Sequence, residues 1–269
     1  MTPNLVLRPN ESSKRSGVEM AVSSKQSVAC RIEGAGPLLI YVPGLDGTGE
    51  LFFKQSPKLT HSHRVVTFRS REVGQFTYDD LTRDVADLIE DLGESHATVV
   101  GESFGGTVAL SFALRYPNLL KRLVVINSFP RFRRRNTIRF GSRLARSVPF
   151  NLLWPLRRSA SSVGLMIDGV AREDRKLFWK AIRTVNSHAY QRRLQLIEQF
   201  DIEPQLSEIE TPTLFVAGSR DLLVPSVSEA RLMASKMPNA KVAVINGAGH
   251  ACLLGGKVNL DQLLKANNS

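Results

Sequence analysis

Short runs rich in β-branched residues alternate with stretches of helical period along most of this chain, and that alternation restricts what it can fold into. Arg64-Val-Val-Thr-Phe68 reads as a strand. In Thr77 to Leu92, the residues Leu81, Val85, Leu88, Ile89 and Leu92 recur at helical spacing behind a Thr77 cap, with Asp80 three residues on. Gly93 stops that helix. Ala97 to Val100 is a strand again, Gly105 to Tyr116 a helix closed by Pro117, and Lys121 to Ile126 a strand. Upstream, Ser27 to Glu33 alternates as a strand should, and Pro37-Leu-Leu-Ile-Tyr-Val42 is an apolar run feeding the glycine-rich Gly44-Leu-Asp-Gly-Thr-Gly49. The pattern resumes late in the chain with strand Thr213–Ala217, helix Val227–Met237, strand Lys241–Ile245 and helix Asn259–Lys265. Apolar strands joined by helices form a parallel sheet covered on both faces, so the expected class is α/β, a mostly parallel doubly wound sheet.

The alternation breaks between about Pro130 and Ser207, where apolar residues recur at helical spacing and prolines stand at 149, 155 and 204. A helical cap inserted into the sheet domain is expected there. The organisation read from sequence is a polar, partly frayed N-terminal segment over 1–26, a core over 27–129 and 208–269, and a basic cap over 130–207. A length of 269 residues suits one domain with an insertion. With 42% hydrophobic and 23% charged residues, disordered and fibrous classes are excluded. No apolar run approaches the roughly 18 residues of a membrane-spanning helix. The first thirty residues carry Arg8, Glu11, Lys14, Arg15, Glu19 and Lys25 without an apolar core, unlike a secretory signal, so a cytoplasmic location is expected. Cys30 and Cys252, the only cysteines, have no metal or redox spacing and read as partly buried thiols.

One junction carries chemistry. Gly101-Glu-Ser-Phe-Gly105 fits G-x-S-x-G, directly after the strand Ala97–Val100 and directly before a helix, which is the context that gives the pattern meaning. Ser103 would stand exposed at the turn. A serine hydroxyl is a weak nucleophile near neutrality and needs a base and an orienting carboxylate. Asp221 follows the strand Thr213–Ala217, in Gly218-Ser-Arg-Asp221, and His250 follows the strand Lys241–Ile245, in Asn246-Gly-Ala-Gly-His250. Both lie just past carboxyl ends of strands, where open α/β sheets place their sites. Alone, each could be a loop former; together they supply nucleophile, acid and base in the order Ser, Asp, His. The backbone N–H groups of Phe104 and Leu45 occupy the positions from which an oxyanion would be stabilised. No nucleotide-binding loop fits Gly44–Gly49. His61, His63, His96 and His188 follow no core strand and read as surface residues, and neither a metal nor a cofactor is expected.

Gly44-Leu-Asp-Gly-Thr-Gly49, Gly101-Glu-Ser-Phe-Gly-Gly106, Gly218-Ser-Arg-Asp221 and Gly249-His-Ala-Cys-Leu-Leu254 resemble the α/β-hydrolase superfamily. Within it the chain resembles the esterase, lipase and thioesterase group that includes the hydrolase half of plant phytyl ester synthases. The resemblance spans about residues 27 to 265 apart from the cap, and it implies an α/β-hydrolase fold. It further implies a Ser103–His250–Asp221 triad that cleaves carboxylic esters through an acyl-enzyme, with thioester hydrolysis or acyl transfer as the alternative. The acyltransferase-like half of the plant proteins is not read in these residues, so their acyl transfer to long alcohols is not carried over as an expectation. Dehalogenases and epoxide hydrolases of this fold carry Asp where Ser103 stands, so those chemistries are excluded.

Net charge is +11 and unevenly placed. Residues 131–200 hold 16 Lys or Arg against 4 Asp or Glu, leaving 20 against 21 elsewhere. Phe150-Asn-Leu-Leu-Trp-Pro-Leu156 is an apolar patch bracketed by Arg143, Arg146, Arg157 and Arg158. Such a surface packs over a site as a solvated helix face, or it engages an anionic membrane surface or an acidic acyl carrier while admitting a small-molecule or lipid ester. A non-catalytic membrane- or nucleic-acid-binding protein on the same scaffold is the distant alternative. Sparse aromatics argue against nucleic acid as a partner.

Overall fold

A computed structural model of the chain describes residues 5–7, 18–23, 29–133 and 168–267. Among them, nine strands form one sheet: β1 (Leu5–Leu7), β2 (Val18–Ser23), β3 (Ala29–Glu33), β4 (Leu38–Val42), β5 (Arg64–Phe68), β6 (Ala97–Glu102), β7 (Leu120–Ile126), β8 (Thr213–Gly218) and β9 (Ala240–Ile245). Their spatial order is β1-β2-β3-β5-β4-β6-β7-β8-β9. From β5 to β9 all neighbours run parallel, and β1 to β3 add an antiparallel edge. Seven α-helices accompany the sheet among the described residues: α1 (Ser56–Leu59), α2 (Tyr78–Asp91), α3 (Phe104–Arg115), α4 (Arg172–Arg183), α5 (Ser187–Gln199), α6 (Ser226–Lys236) and α7 (Leu260–Ala266). The mostly parallel, doubly wound sheet expected from the alternation is the observed architecture.

β4 and β8 are buried along their whole length, which explains why they read as unbroken apolar runs. Their side chains part by period two. Ile40, Val42, Val99, Val125 and Phe215 pack on one face with residues of α2, α3 and α6. Leu39, Tyr41, Val100, Val124 and Leu214 pack on the other with Phe52, Leu59, Leu260 and Leu264. Each fully buried aliphatic side chain contributes on the order of 1.5–3 kcal/mol, so the two layers are the main source of stability. A one-residue slip in a central strand would exchange both layers at once.

Two findings go beyond the sequence reading. The segment read as a frayed lead-in contributes β1 and β2, with Val18 opposite Glu33 and Val22 opposite Ala29. Val18, Met20 and Val22 do alternate with Glu19, Ala21 and Ser23, but the decisive factor is the unpaired edge that β3 offers to any nearby extended chain. Within the expected cap, residues 168–207 carry α4 and α5. Residues 134–167, with the Phe150–Leu156 patch and Arg143, Arg146, Arg157 and Arg158, lie outside the described residues.

The start of α2 shows why sequence locates helices well. The Thr77 hydroxyl accepts from the Asp80 N–H at 3.3 Å, and the Asp80 carboxylate accepts from the Thr77 N–H at 2.8 Å, a reciprocal capping box. Thr77→Ala is expected to lower stability by about 1 kcal/mol in urea unfolding, without altering the sheet.

Candidate active site

Four loops meet at the carboxyl edge of the parallel strands. The first is the turn from β6 into α3, where Ser103 has φ 54° and ψ −117°. A non-glycine residue there is strained by about 1–3 kcal/mol, so its surroundings must impose it. The Ser103 N–H donates to the Ile126 carbonyl at 2.8 Å, and its own carbonyl accepts from the Gly106 N–H at 3.0 Å and the Ser128 hydroxyl at 2.8 Å. Glycine is required on both sides because backbones touch: a Cβ at Gly101 would lie 2.3 Å from the Gly105 carbonyl oxygen, and one at Gly105 2.1 Å from that of Val42. Sequence pattern and tertiary contact agree at this turn.

The loops after β8 and β9 bring the other two residues in. His250 Nε2 lies 2.9 Å from Ser103 Oγ, and His250 Nδ1 lies 2.7 Å from Asp221 Oδ2. The Asp221 side chain is only 1% exposed. Its Oδ1 accepts from the Leu223 and Val224 N–H groups at 2.9 and 3.1 Å, and its Oδ2 also accepts from the Ser226 hydroxyl. Burial pushes the Asp221 carboxyl up, but the hydrogen bond and charge of His250, with Ser226 and Val224, outweigh it and hold the group below the usual range. Burial pushes His250 down, and the hydrogen bond and charge of Asp221 outweigh that, helped by Glu102 and Asp168, so the imidazole is raised. An imidazole held between a carboxylate and a hydroxyl can take a proton from that hydroxyl.

The fourth loop follows β4. Leu45 packs against the core there, and Phe104 is buried at the start of α3, within 6.0 Å of the Tyr78 ring. Asp46, unassigned by sequence, folds the loop: its Oδ1 accepts from the Thr48 N–H and hydroxyl at 2.8 and 2.5 Å.

Several supporting residues carried no clear sequence signal. Asn127, at φ 47° just past β7, accepts from the Gly218 N–H at 2.8 Å and donates to the Gly249 and His250 carbonyls at 3.1 and 2.8 Å. It ties the end of β8 to the histidine loop. Asp168 approaches the same loop from the inserted segment, accepting from the Gly249 N–H and, at 3.0 Å, from the Ala251 N–H. These two bonds flank His250. Glu102 stands inside the serine motif and accepts from the Tyr41 hydroxyl at 2.7 Å. Burial pushes its carboxyl up to about 7, against the Tyr41 bond and the charge of His250. A carboxylate beside Ser103 was the available signal for Glu102; for Asn127 and Asp168 none exists until the loops are seen together. His61, His96 and His188 are exposed, and His63 is half-buried with its Nδ1 2.8 Å from the Ser62 hydroxyl.

A family model described as the alpha/beta hydrolase fold matches residues 37–256. The chain belongs to the α/β-hydrolase family. Among curated relatives, it is 28% identical over 255 residues to "Putative carbamate hydrolase RutD" of Stutzerimonas stutzeri, covering 87% of this chain and 92% of that one. The same name belongs to a Serratia proteamaculans relative, 28% identical over 257 residues, covering 87% of this chain and 93% of that one. Among solved structures, a hydrolase from Pseudomonas aeruginosa superposes with a TM-score of 0.72 at 21% identity, covering 100% of this chain and 98% of that one. MenH from S. aureus reaches a TM-score of 0.76 at 19% identity, covering 89% and 99%. These structural likenesses speak to the fold. The narrower likeness to plant phytyl ester synthases rests on the sequence motifs alone.

The electrostatics are testable without a substrate. In an NMR pH titration, His250 is expected to deprotonate above the ordinary histidine value. Glu102→Gln should move that midpoint down, because removing a nearby negative charge disfavours the imidazolium. An unmoved midpoint would show that Glu102 does not act on His250.

Proposed function

We propose that this chain is a serine hydrolase of carboxylic esters. The observation that supports this best is the continuous pair of contacts, 2.9 Å from Ser103 Oγ to His250 Nε2 and 2.7 Å from His250 Nδ1 to Asp221 Oδ2. In this reading Ser103 Oγ attacks the ester carbonyl carbon while His250 Nε2 takes its proton, and Asp221 orients and stabilises the imidazolium. The tetrahedral oxyanion is held by the backbone N–H groups of Leu45 and Phe104. Collapse of that intermediate expels the alcohol, which leaves with the proton from His250, and Ser103 remains acylated. Water then attacks the acyl-enzyme with His250 again as base, and the acid departs.

The carbamate hydrolase relatives favour one further reading, attack on a carbamate carbonyl by the same serine, which uses the same groups and differs only in the substrate. A thioester substrate would also be served by this chemistry. Turnover of p-nitrophenyl esters of two to sixteen carbons, beside acyl-coenzyme A and an aryl carbamate, separates these readings. Medium-chain esters are expected to be the best substrates, given the apolar Phe150–Leu156 patch in the sequence. Ser103→Ala should lower kcat/KM by at least about 1,000-fold, and undiminished turnover would refute the mechanism.

The partner expected for this reading is an anionic membrane surface carrying the ester, with an acidic acyl carrier as the alternative and no nucleic acid. The exposed face of α4 supports it: Arg172, Lys176, Lys180 and Arg183 recur along one side, opposite buried Phe178 and Ala181. No helix among the described residues is long and apolar enough to cross a membrane. The location this reading favours is the cytoplasm, and Cys30 and Cys252 are both buried. Co-sedimentation with phosphatidylglycerol vesicles but not phosphatidylcholine vesicles is expected, fading at high salt, since each cation near the surface is worth about 1 kcal/mol.

A further inference from the structure

Arg193, a cation on α5, is fully buried at 0% exposure and is the largest of the most deeply buried side chains. No carboxylate is hydrogen-bonded to it among the described residues. Its Nη1 donates to the Leu45 carbonyl at 3.2 Å and reaches that of Asp46 at 3.5 Å, while its Nη2 donates to the Arg71 carbonyl at 2.9 Å. Its Nε is buried without a hydrogen-bond partner, and the guanidinium carbon lies 5.9 Å from the centre of the Phe76 ring. The carboxylates of Asp46 and Glu72 favour its charge without hydrogen-bonding to it, and burial outweighs them; burying such a cation is costly, so a chain retaining one solely for stability would do better with an apolar residue of similar size. What Arg193 touches is more informative. Two of its three acceptors belong to the loop after β4, the loop whose Leu45 N–H the proposed mechanism directs at the oxyanion.

Contact between the two is close. Gly47 has φ 66°, and a Cβ there would lie 2.3 Å from the guanidinium carbon of Arg193. The loop therefore folds directly over the cation, with glycine at the point of contact. Other ties fix its remaining sides: the Gly47 N–H donates to the Gly44 carbonyl at 3.0 Å, and the Ser70 N–H donates to the Gly47 carbonyl at 2.8 Å. At Gly44 the same loop runs against the nucleophile, since a Cβ there would lie 3.6 Å from Ser103 Cβ.

We propose that Arg193 is a positioning residue for oxyanion stabilisation: from the inserted segment, it fixes the Leu45–Gly47 loop against Ser103 and places a desolvated positive charge behind it. The inference rests on the serine-hydrolase reading. Both effects act where negative charge develops in the transition state, and a cation in a low-dielectric setting is felt there more strongly than in water. Neither effect touches the pairing of His250 with Asp221. The consequence is a defect in the rate of attack with the proton-transfer machinery intact.

The test uses a fluorophosphonate probe on the full chain under conditions where circular dichroism shows each variant folded, so that the labelling rate constant reports Ser103 and the final extent reports the competent fraction. Wild type should label and Ser103→Ala should not; a wild type that fails to label overturns the serine reading and this proposal with it. Arg193→Met is expected to label about 10- to 100-fold more slowly, with Arg193→Lys in between, and with the pH midpoint of labelling unchanged. On a p-nitrophenyl ester the loss should fall on kcat, with KM held within about threefold. Gly47→Ala, which leaves Arg193 in the sequence but forces it and the loop apart, should reproduce the defect and carries the test if Arg193→Met does not fold. Labelling of a folded Arg193→Met, or of folded Gly47→Ala in its place, at the wild-type rate would overturn the assignment. So would a shift in the pH midpoint, which would place the effect on His250 instead.

Discussion

The strained turn at Ser103 is the constraint on which the site depends. A left-handed φ on a serine exists only because β6 delivers the chain into α3 with no room for a relaxed turn, and because Ile126, Gly106 and Ser128 take the N–H and carbonyl of Ser103 itself. The two sheet layers supply the energy that sustains this. Buried strands on either side of β6 fix where its carboxyl end lies, and the glycines at 101 and 105 let neighbouring backbones close on it. The hydroxyl is thereby presented at the sheet edge in one orientation, and the imidazole has only to be brought to it.

Bringing the imidazole there is a matter of loops, and loops are soft unless something holds them. Here the histidine loop is held from two sides. Asn127 takes its carbonyls and the end of β8, and Asp168 takes the N–H groups on either side of His250. Asp168 and Arg193 both come from the segment inserted between β7 and β8. One is a buried anion collecting N–H groups, the other a buried cation collecting carbonyls, so each complements the backbone polarity it meets. The insertion is thus attached to the site through its polar skeleton as well as through packing. Glu102, half-buried next to Ser103 with a carboxyl raised to about 7, adds a charge that changes near neutrality and acts on the imidazole.

Much of this was legible in the residues. Central strands read as apolar runs because both faces are covered, and α2 read clearly because its capping box and periodicity are local. Ser103, Asp221 and His250 were legible as three strand-end positions, and the structure brings their side chains together. β1 and β2 were not legible, since three residues are too few to show a period and the alternation of β2 lies within a polar stretch, so both strands are made by the edge they find. Asn127, Asp168 and Arg193 were illegible for a related reason: each acts on backbone atoms more than 100 residues away or in another loop, and backbone leaves no side-chain signature.

Sequence by itself determined the family, the sheet's alternation, the local helix starts and which residues are candidates for the chemistry, because period, capping and glycine punctuation are encoded within a few neighbouring residues. Tertiary structure alone decided how those groups are held. Which loop meets which, which charge is buried beneath which carbonyl, and how the insertion grips the site follow from long-range packing, where contact depends on the whole fold and any single segment is silent.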